Sequence, residues 1–408
     1  MLQKETIRLI QESVPLLREY GHKITANFYK RLFNEHPELL NIFNHANQHK
    51  GHQPQALANA VYAAAANITQ LEQILPTVKH IAHKHRSIGV LPEHYPIVGQ
   101  NLLLAMRDVL QDKLTEPMLN AWQETYGVIA DLFIQMEEEL YQQAEQQPGG
   151  WRGFRDLVVT KKVRESEHIT SFYLEPKDGQ PLPTFLPGQY ISVKVEIPGD
   201  PYTHIRQYSL SDDPNASHYR ITVKREEKGK VSTYLHQEIE EGSVLSVSAP
   251  AGVFTLEQTD SPVILLSAGV GLTPLLSMLK ALAQSPSTQR VIHIHATRNS
   301  QTHALREEVL RIVNCHTHIE NYVCYSQPTD ADRLNRLYDK EGHIDAEWLK
   351  TVLPSTGHFY LCGPSAFMRD CYQALLSLGI APAAIHHEIF GPAGAWAPPA
   401  AAPMGATQ

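Results

Sequence analysis

Apolar residues recur every three or four positions through residues 1–147, the spacing of amphipathic helices. Ile24, Phe28 and Leu32 share one face; Leu57, Val61, Ala64 and Ile68 share another, after Pro54. Val78, Ile81 and Ala82 follow Pro76, Val98, Leu102 and Ala105 follow next, and Trp122, Tyr126, Ile129, Phe133 and Leu140 close the series. Gln146-Gln147-Pro148-Gly149-Gly150 interrupts this pattern and reads as a linker. Beyond Trp151 the runs shorten to β-like stretches at Leu157–Thr160, Thr170–Leu174, Tyr190–Val195 and Tyr219–Lys224, separated by Pro and Gly as in a small antiparallel barrel. From Ser261, apolar strands at Val263–Ser267, Val291–Ala296 and His358–Leu361 alternate with helices starting at Pro274 and near Leu305, the rhythm of a parallel sheet. The expected fold is therefore multidomain: an all-α domain over 1–147, a linker over 148–152, an antiparallel β-barrel over 153–258 and an α/β parallel-sheet domain over 259–395. Residues 396–408 are expected to be a disordered tail, in a stretch that is rich in Ala and Pro from Gly391 onward.

Composition narrows the partners. The 408 residues carry 35 Lys+Arg against 43 Asp+Glu, a net charge of −8 that offers no general attraction to nucleic acid or anionic membrane. Four cysteines (Cys315, Cys324, Cys362 and Cys371) form no C-x-x-C pair, so neither a zinc knuckle nor a disulfide framework is expected. The N-terminus lacks the apolar segment of a secretory signal, and no run of 18 apolar residues is present to span a membrane. These features predict a cytoplasmic protein.

Candidate chemistry begins after the strand at Val263. Gly269-Val270-Gly271-Leu272-Thr273-Pro274 leads from strand to helix, where glycines let backbone N–H groups approach a diphosphate and Pro274 suits a first helical turn. The pattern lacks the third glycine of the full dinucleotide fingerprint. Cys362-Gly363-Pro364 occupies the same place after a later strand, either as a second nucleotide loop or as a plain turn. Upstream, Tyr190 precedes Arg206-Gln207-Tyr208-Ser209. An Arg can clamp a diphosphate and a Tyr can lie against a flavin ring, although a surface ion pair and strand aromatics are the bland readings. Gly229 and Ser232 sit at the entrance of a short helix whose free N–H groups suit a diphosphate. In this order, and with Glu388-Ile389-Phe390-Gly391-Pro392 near the end, the pieces resemble the ferredoxin–NADP reductase family over residues 153–395. That resemblance implies FAD on the barrel and NADH or NADPH on the last domain. Arg298, after the second strand of that domain, could meet a 2′-phosphate or be a solvated charge, so both nicotinamides are carried.

The helical third holds nine of the 22 histidines, so position must discriminate among them. His85 falls on the stripe of Val78, Ile81 and Ala82, whereas His80 and His83 point away. It is either a satisfied core imidazole or a metal ligand. Glu137 lies on the Trp122–Leu140 face and Tyr95 in line with Val98; a carboxylate there needs a partner if buried, or marks an exposed helix end. Gln53 precedes Pro54 at a helix start, and Tyr29 reads most simply as a core aromatic.

Tyr29, Phe43, Gln53, Leu57 and His85, spread over successive helices, resemble a bacterial globin, and with the reductase the chain from about residue 1 to 395 resembles the flavohemoglobin family. The resemblance implies heme b held by His85 as the iron ligand, Tyr29 and Gln53 as polar groups on the oxygen side, Phe43 and Leu57 as apolar walls of the heme site, and Tyr95 with Glu137 as the pair behind His85. It implies a nitric oxide dioxygenase that converts NO and O2 to nitrate with electrons passed from NAD(P)H through FAD to heme. It carries a lipid in the heme pocket as a further expectation, and a monomer with small-molecule partners only. The other readings are an oxygen carrier or sensor kept reduced by its flavin module, and a heme-free flavin reductase. The Ala/Pro-rich tail after Pro392 departs from what the family needs.

Overall fold

A computed structural model describes residues 2–43 and 52–390, leaving the side chains of 52–54, 56, 71 and 72 undescribed. Helices α1 (Lys4–Glu35), α2 (His52–Ala66), α3 (Leu75–Ile88), α4 (His94–Leu110) and α5 (Glu116–Gln146) form the first domain. α1 buries Ile10, Leu17, Ile24, Phe28 and Leu32, the face its periodicity predicts, against α2, α4 and α5. Trp122 on α5 donates its indole N–H to Ser13 Oγ at 3.1 Å, which satisfies the one polar atom of that buried ring. Pro76 opens α3, and Gly89 closes it in the left-handed region (φ 84°), where Gly89 N–H and Val90 N–H reach back to Arg86 and His85. Thr115 caps α5 by accepting from Met118 N–H.

After α5 the chain turns at Gly150, where any Cβ would stand 2.0 Å from the Ala144 carbonyl. Strands β1 (Phe154–Arg164), β2 (Ile169–Pro176), β3 (Tyr190–Glu196), β4 (Thr203–Ser209), β5 (Tyr219–Lys224) and β6 (Val244–Ser248) pair antiparallel in the order β4-β3-β6-β1-β2-β5. A Leu210–Ile221 bridge joins the two edges of that sheet. Helix α6 (Lys230–Gln237) lies between β5 and β6. The third unit is a parallel sheet of β7 (Val263–Ala268), β8 (Val291–Thr297), β9 (Ile319–Tyr325), β10 (Lys340–Glu341), β11 (His358–Gly363) and β12 (Ile385–Ile389), ordered β10-β9-β8-β7-β11-β12. Helices α7 (Leu272–Gln284), α8 (Arg306–Cys315), α9 (Asp330–Leu334), α10 (Ala346–Val352) and α11 (Ser365–Ser377) connect its strands. α7 starts two residues before the predicted Pro274. Among the described residues no helix is long and apolar enough to cross a membrane. Gly391, Pro392 and the tail lie outside the described residues.

The parallel sheet hides three neutral imidazoles. His293, His295 and His303 are buried and bond through Nδ1 to Asn321 Oδ1 (2.7 Å), Ser267 Oγ (2.8 Å) and Tyr325 hydroxyl (2.9 Å). Burial pushes His293 down to about 4, His303 down to about 3, and His295 well below its ordinary value. The unfolded chain takes up protons near pH 6.5 that these folded rings refuse, so their stabilisation is complete above 6.5 and is lost as pH falls toward 4. At pH 5 each such ring is expected to cost about 2 kcal/mol relative to pH 8. Melting of the full chain at the two pH values checks this; unchanged midpoints would contradict it.

Candidate functional site

On the helical domain, three predicted residues converge. His85 Nδ1 lies 2.8 Å from Glu137 Oε1 and 3.2 Å from the Tyr95 hydroxyl, and Tyr95 donates to the same Glu137 oxygen at 2.5 Å. The carboxylate side chain is 4% exposed, which removes the reading of Glu137 as an open helix end. A phenol has one proton and a carboxylate none, so the proton between His85 and Glu137 sits on Nδ1 and the Nε2 lone pair is left for another partner. Burial, with Glu137 beside it, holds the Tyr95 hydroxyl protonated far above the usual phenol range. A second tier fixes this set. Tyr126 donates to the Tyr95 carbonyl at 2.6 Å, and it reaches that position because Gly99 has no Cβ; one there would stand 2.3 Å from the Tyr126 ring. Tyr141 donates to the Val90 carbonyl at 3.0 Å, holding the turn that ends α3.

Tyr29 is buried, with its ring edge-on to Phe28 (4.8 Å) and Phe43 (5.9 Å). Phe43, Leu57 and Phe133 are half-buried, and Phe133 lies 5.8 Å from the His85 ring. Phe133 beside an imidazole whose Nδ1 is committed, together with the apolar side chains of the same helical domain, fits a flat apolar macrocycle with a coordinating metal. The Gln53 side chain lies outside the described residues.

On the barrel, Arg206 is half-buried and bonds only to the Ile205 carbonyl at 2.7 Å; among the described residues no carboxylate pairs with it. Burial pulls its pKa down. The surface-ion-pair reading therefore falls, and an unpaired guanidinium beside Tyr208 suits a diphosphate. Tyr190 packs on Gly252 (φ 116°), where a Cβ would meet the ring at 3.1 Å. Ser209 is buried, and Ser232 Oγ accepts from Glu226 N–H at 3.1 Å, shaping the α6 entrance after Gly229. Glu388 Oε2 is buried with no hydrogen-bond partner among the described residues, and burial raises that carboxyl to about 8, so it is ready to donate a proton or a hydrogen bond to a bound ring. Phe390 is exposed.

The two predicted nucleotide loops meet. β7 and β11 are neighbours, and Gly271 stands where a Cβ would lie 2.2 Å from the Cys362 carbonyl. The Gly269–Pro274 and Cys362–Pro364 segments thus share one end of the sheet, between β7 and β11, where the chain passes to opposite sides. Val270, Leu272 and Thr273 lie in this turn, with Thr273 Oγ1 donating to the Val270 carbonyl at 3.0 Å.

What sequence reasoning missed is the joint between the halves. His83 Nδ1 accepts from Gly252 N–H at 3.1 Å, Arg86 donates to the Ala249 carbonyl at 3.0 Å and to Pro250, and Ser87 Oγ accepts from Ser192 Oγ at 2.9 Å. Ser192 in turn accepts from Gln207 at 3.1 Å. The α3 residues flanking His85 are therefore bonded to the barrel wall that carries Tyr190 and Gln207. The available signal was an Arg beside the stripe histidine, with nothing local to pair it.

Comparison with known proteins agrees with this division. A globin family model matches residues 26–133, an oxidoreductase FAD-binding domain model residues 156–256, and an oxidoreductase NAD-binding domain model residues 265–373. A flavohemoprotein of Bacillus cereus is 52% identical over 400 residues, covering 96% of this chain and 99% of its own, and one of Bacillus subtilis is 50% identical over 394 residues, covering 96% and 98%. The crystal structure of a flavohemoglobin from Malassezia yamatoensis, with bound FAD and heme, superposes with a TM-score of 0.86 at 29% identity, over 96% of this chain and all of that one. The FAD/NAD-binding domain of nitric oxide dioxygenase from Vibrio cholerae matches 58% of this chain and 99% of its own, at 37% identity and a TM-score of 0.54.

Proposed function

The chain belongs to the flavohemoprotein family, and on that premise we propose that it is a nitric oxide dioxygenase, combining NO and O2 into nitrate with electrons drawn from NADH or NADPH. Heme would supply an oxygen-binding iron that takes electrons singly, and FAD the exchange from the paired electrons of a nicotinamide. The remaining work belongs to side chains. His85 would offer Nε2 to the metal while Glu137 accepts the hydrogen bond from Nδ1–H, which makes the imidazole a stronger donor; Tyr95 locks the carboxylate in place. Tyr29 would be the hydroxyl donor on the oxygen side of such a group, and Phe43 and Leu57 would keep that side apolar; the resemblance assigns Gln53 to the same side. Arg206, Tyr208, Ser209, Gly229 and Ser232 would hold the FAD diphosphate region, and Tyr190, Gln207, Glu388 and Phe390 its ring; the resemblance adds Gly391 and Pro392, which lie outside the described residues. The turns at Gly269–Pro274 and Cys362–Pro364 receive the nicotinamide dinucleotide. A lipid in the heme pocket, a monomeric state and a cytoplasmic location belong to the same reading.

The observation that carries it is the joint between α3 and the barrel. Arg86 and Ser87, next to His85, are bonded to Ala249 and Ser192, so the metal-binding helix is fixed on the flavin side of the molecule rather than tethered by a linker alone. Short, fixed separation is what single-electron transfer between two buried groups requires. The test is NO consumption in air with each nicotinamide, with nitrate as product. Ordinary oxygen binding with slow NO loss would instead indicate a carrier or sensor.

Glu137→Gln keeps the shape but removes the negative charge behind His85. The iron–histidine stretching frequency of the heme-loaded variant is expected to fall, and an unchanged frequency would argue against charge donation through Nδ1.

A further inference from the structure

A second cluster of ligating side chains lies at the start of β11 and β12, before Cys362 and Glu388 on those strands. Glu257 belongs to the segment that leaves the barrel, His358 opens β11 and His386 lies on β12. His358 Nδ1 stands 3.1 Å from His386 Nε2, with their rings stacked at 5.4 Å and 13°. Glu257 reaches both, with Oε2 at 3.6 Å from His358 Nδ1 and Oε1 at 3.7 Å from His386 Nδ1. One ligand atom from each residue can be chosen so that all lie within 4.8 Å of one another.

The set is held in place from behind. Fully buried Tyr360 stacks on the His386 ring at 4.6 Å, and its hydroxyl accepts the Glu257 N–H at 2.9 Å. One residue thus positions two of the three candidate ligands. Glu257 is exposed and both histidines half-exposed, which gives an ion an entry path. His358 begins the strand whose other end carries Cys362, at ~3.3 Å per residue about 13 Å away, so the cluster is separate from the nucleotide loops.

We infer that Glu257, His358 and His386 form a binding site for a divalent transition metal, Zn2+ in the first instance, with water completing the coordination. Two imidazoles and one carboxylate are a ligand set that zinc and copper accept and that magnesium and calcium, which require oxygen donors, do not. Adjacent ligand atoms on a tetrahedral zinc stand about 3.4 Å apart, as follows from bond lengths near 2.0–2.1 Å. The 3.1 and 3.7 Å separations involve different nitrogens of His386, of which one ion takes only one; a choice of one atom per residue lies within 4.8 Å, so small side-chain rotations bring the set to that value. On binding, the proton shared between the two imidazoles would move to a ring nitrogen turned away from the ion. An ion there would clip the chain leaving the barrel to the edge of the parallel sheet.

The full-length protein with heme and FAD, stripped with chelator, is titrated with Zn2+ at pH 7.5 by calorimetry. One saturable equivalent is expected, with affinity lowered at least about 10-fold in both His358→Gln and His386→Gln. No saturable binding, or equal binding by the double variant, would assign any uptake to the chain's other histidines and overturn the site. Independently of any variant, the parent loaded with one equivalent of Cu2+ should show electron-paramagnetic coupling to two imidazole nitrogens. A copper spectrum without nitrogen coupling also overturns it.

Discussion

Replacing His85 with alanine is expected to cut NO consumption by at least ~1,000-fold, while NAD(P)H oxidation with ferricyanide stays within about threefold of the parent. The asymmetry follows from where the imidazole sits. Its Nδ1 is bound to Glu137, which on the proposed reading leaves Nε2 to donate to the metal, and among the described residues the His85 side chain makes no hydrogen bond to the barrel or parallel sheet. Arg86 and Ser87, which do join the halves, remain. The variant leaves Glu137 buried with Tyr95 as its remaining partner. That same vacated room, lined by a carboxylate that wants an N–H, should admit free imidazole. Added imidazole is therefore expected to restore part of the NO turnover in His85→Ala and none in a His85→Phe variant, whose ring fills the space. Parental NO turnover in His85→Ala would end the assignment of the metal ligand.

That His85 could be read from sequence at all depends on helical geometry. A period of 3.6 residues places His85 and Glu137 on apolar faces, and a polar residue on such a face must have a local reason. Position was legible; partnership was not. Whether Glu137 faced water or His85 depended on α5 crossing α3, which no local pattern encodes. The parallel-sheet strands Val263–Ala268 and Val291–Thr297 were legible as near-continuous apolar runs. β4 (THIRQYS) and β12 (IHHEI) were not, because polar side chains break the apolar run that would betray a strand, and β6 and β9 were missed as well. Arg206 and Gln207 interrupt β4, and His386 and Glu388 interrupt β12. The Glu257–His358–His386 cluster was hidden for another reason: its residues come from three separate segments that only the fold brings together.

Arg220→Ala is expected to destabilise the reductase half by about 3–5 kcal/mol, the cost of breaking a buried ion network from one side. Arg220 on β5 is 2% exposed and donates to Glu308 Oε2 on α8 at 2.8 Å and to Tyr173 at 3.3 Å, with Asp212 at 3.5 Å. Lys280 on α7 bridges Asp212 and Glu308 from the other side. Two cations thus face two carboxylates across the seam between barrel and parallel sheet. Burial works against the charge on Asp212, yet His218, Arg220 and Lys280 together hold it well below the ordinary carboxylate range. Without Arg220, one lysine must serve two buried anions, so one of them must take up a proton or draw water into the seam. Thermal release of FAD, followed by its fluorescence, should move down by roughly 10 °C, since each kcal/mol shifts a unit of this size by about 2–4 °C. Arg220→Met combined with Glu308→Leu leaves Lys280 and Asp212 as a matched pair beside apolar side chains of similar bulk. That double variant should recover most of the loss, because the penalty comes from an uncompensated charge and not from the absence of a pair. If instead the two substitutions destabilise additively, the four groups act independently and the seam is held by its apolar contacts alone.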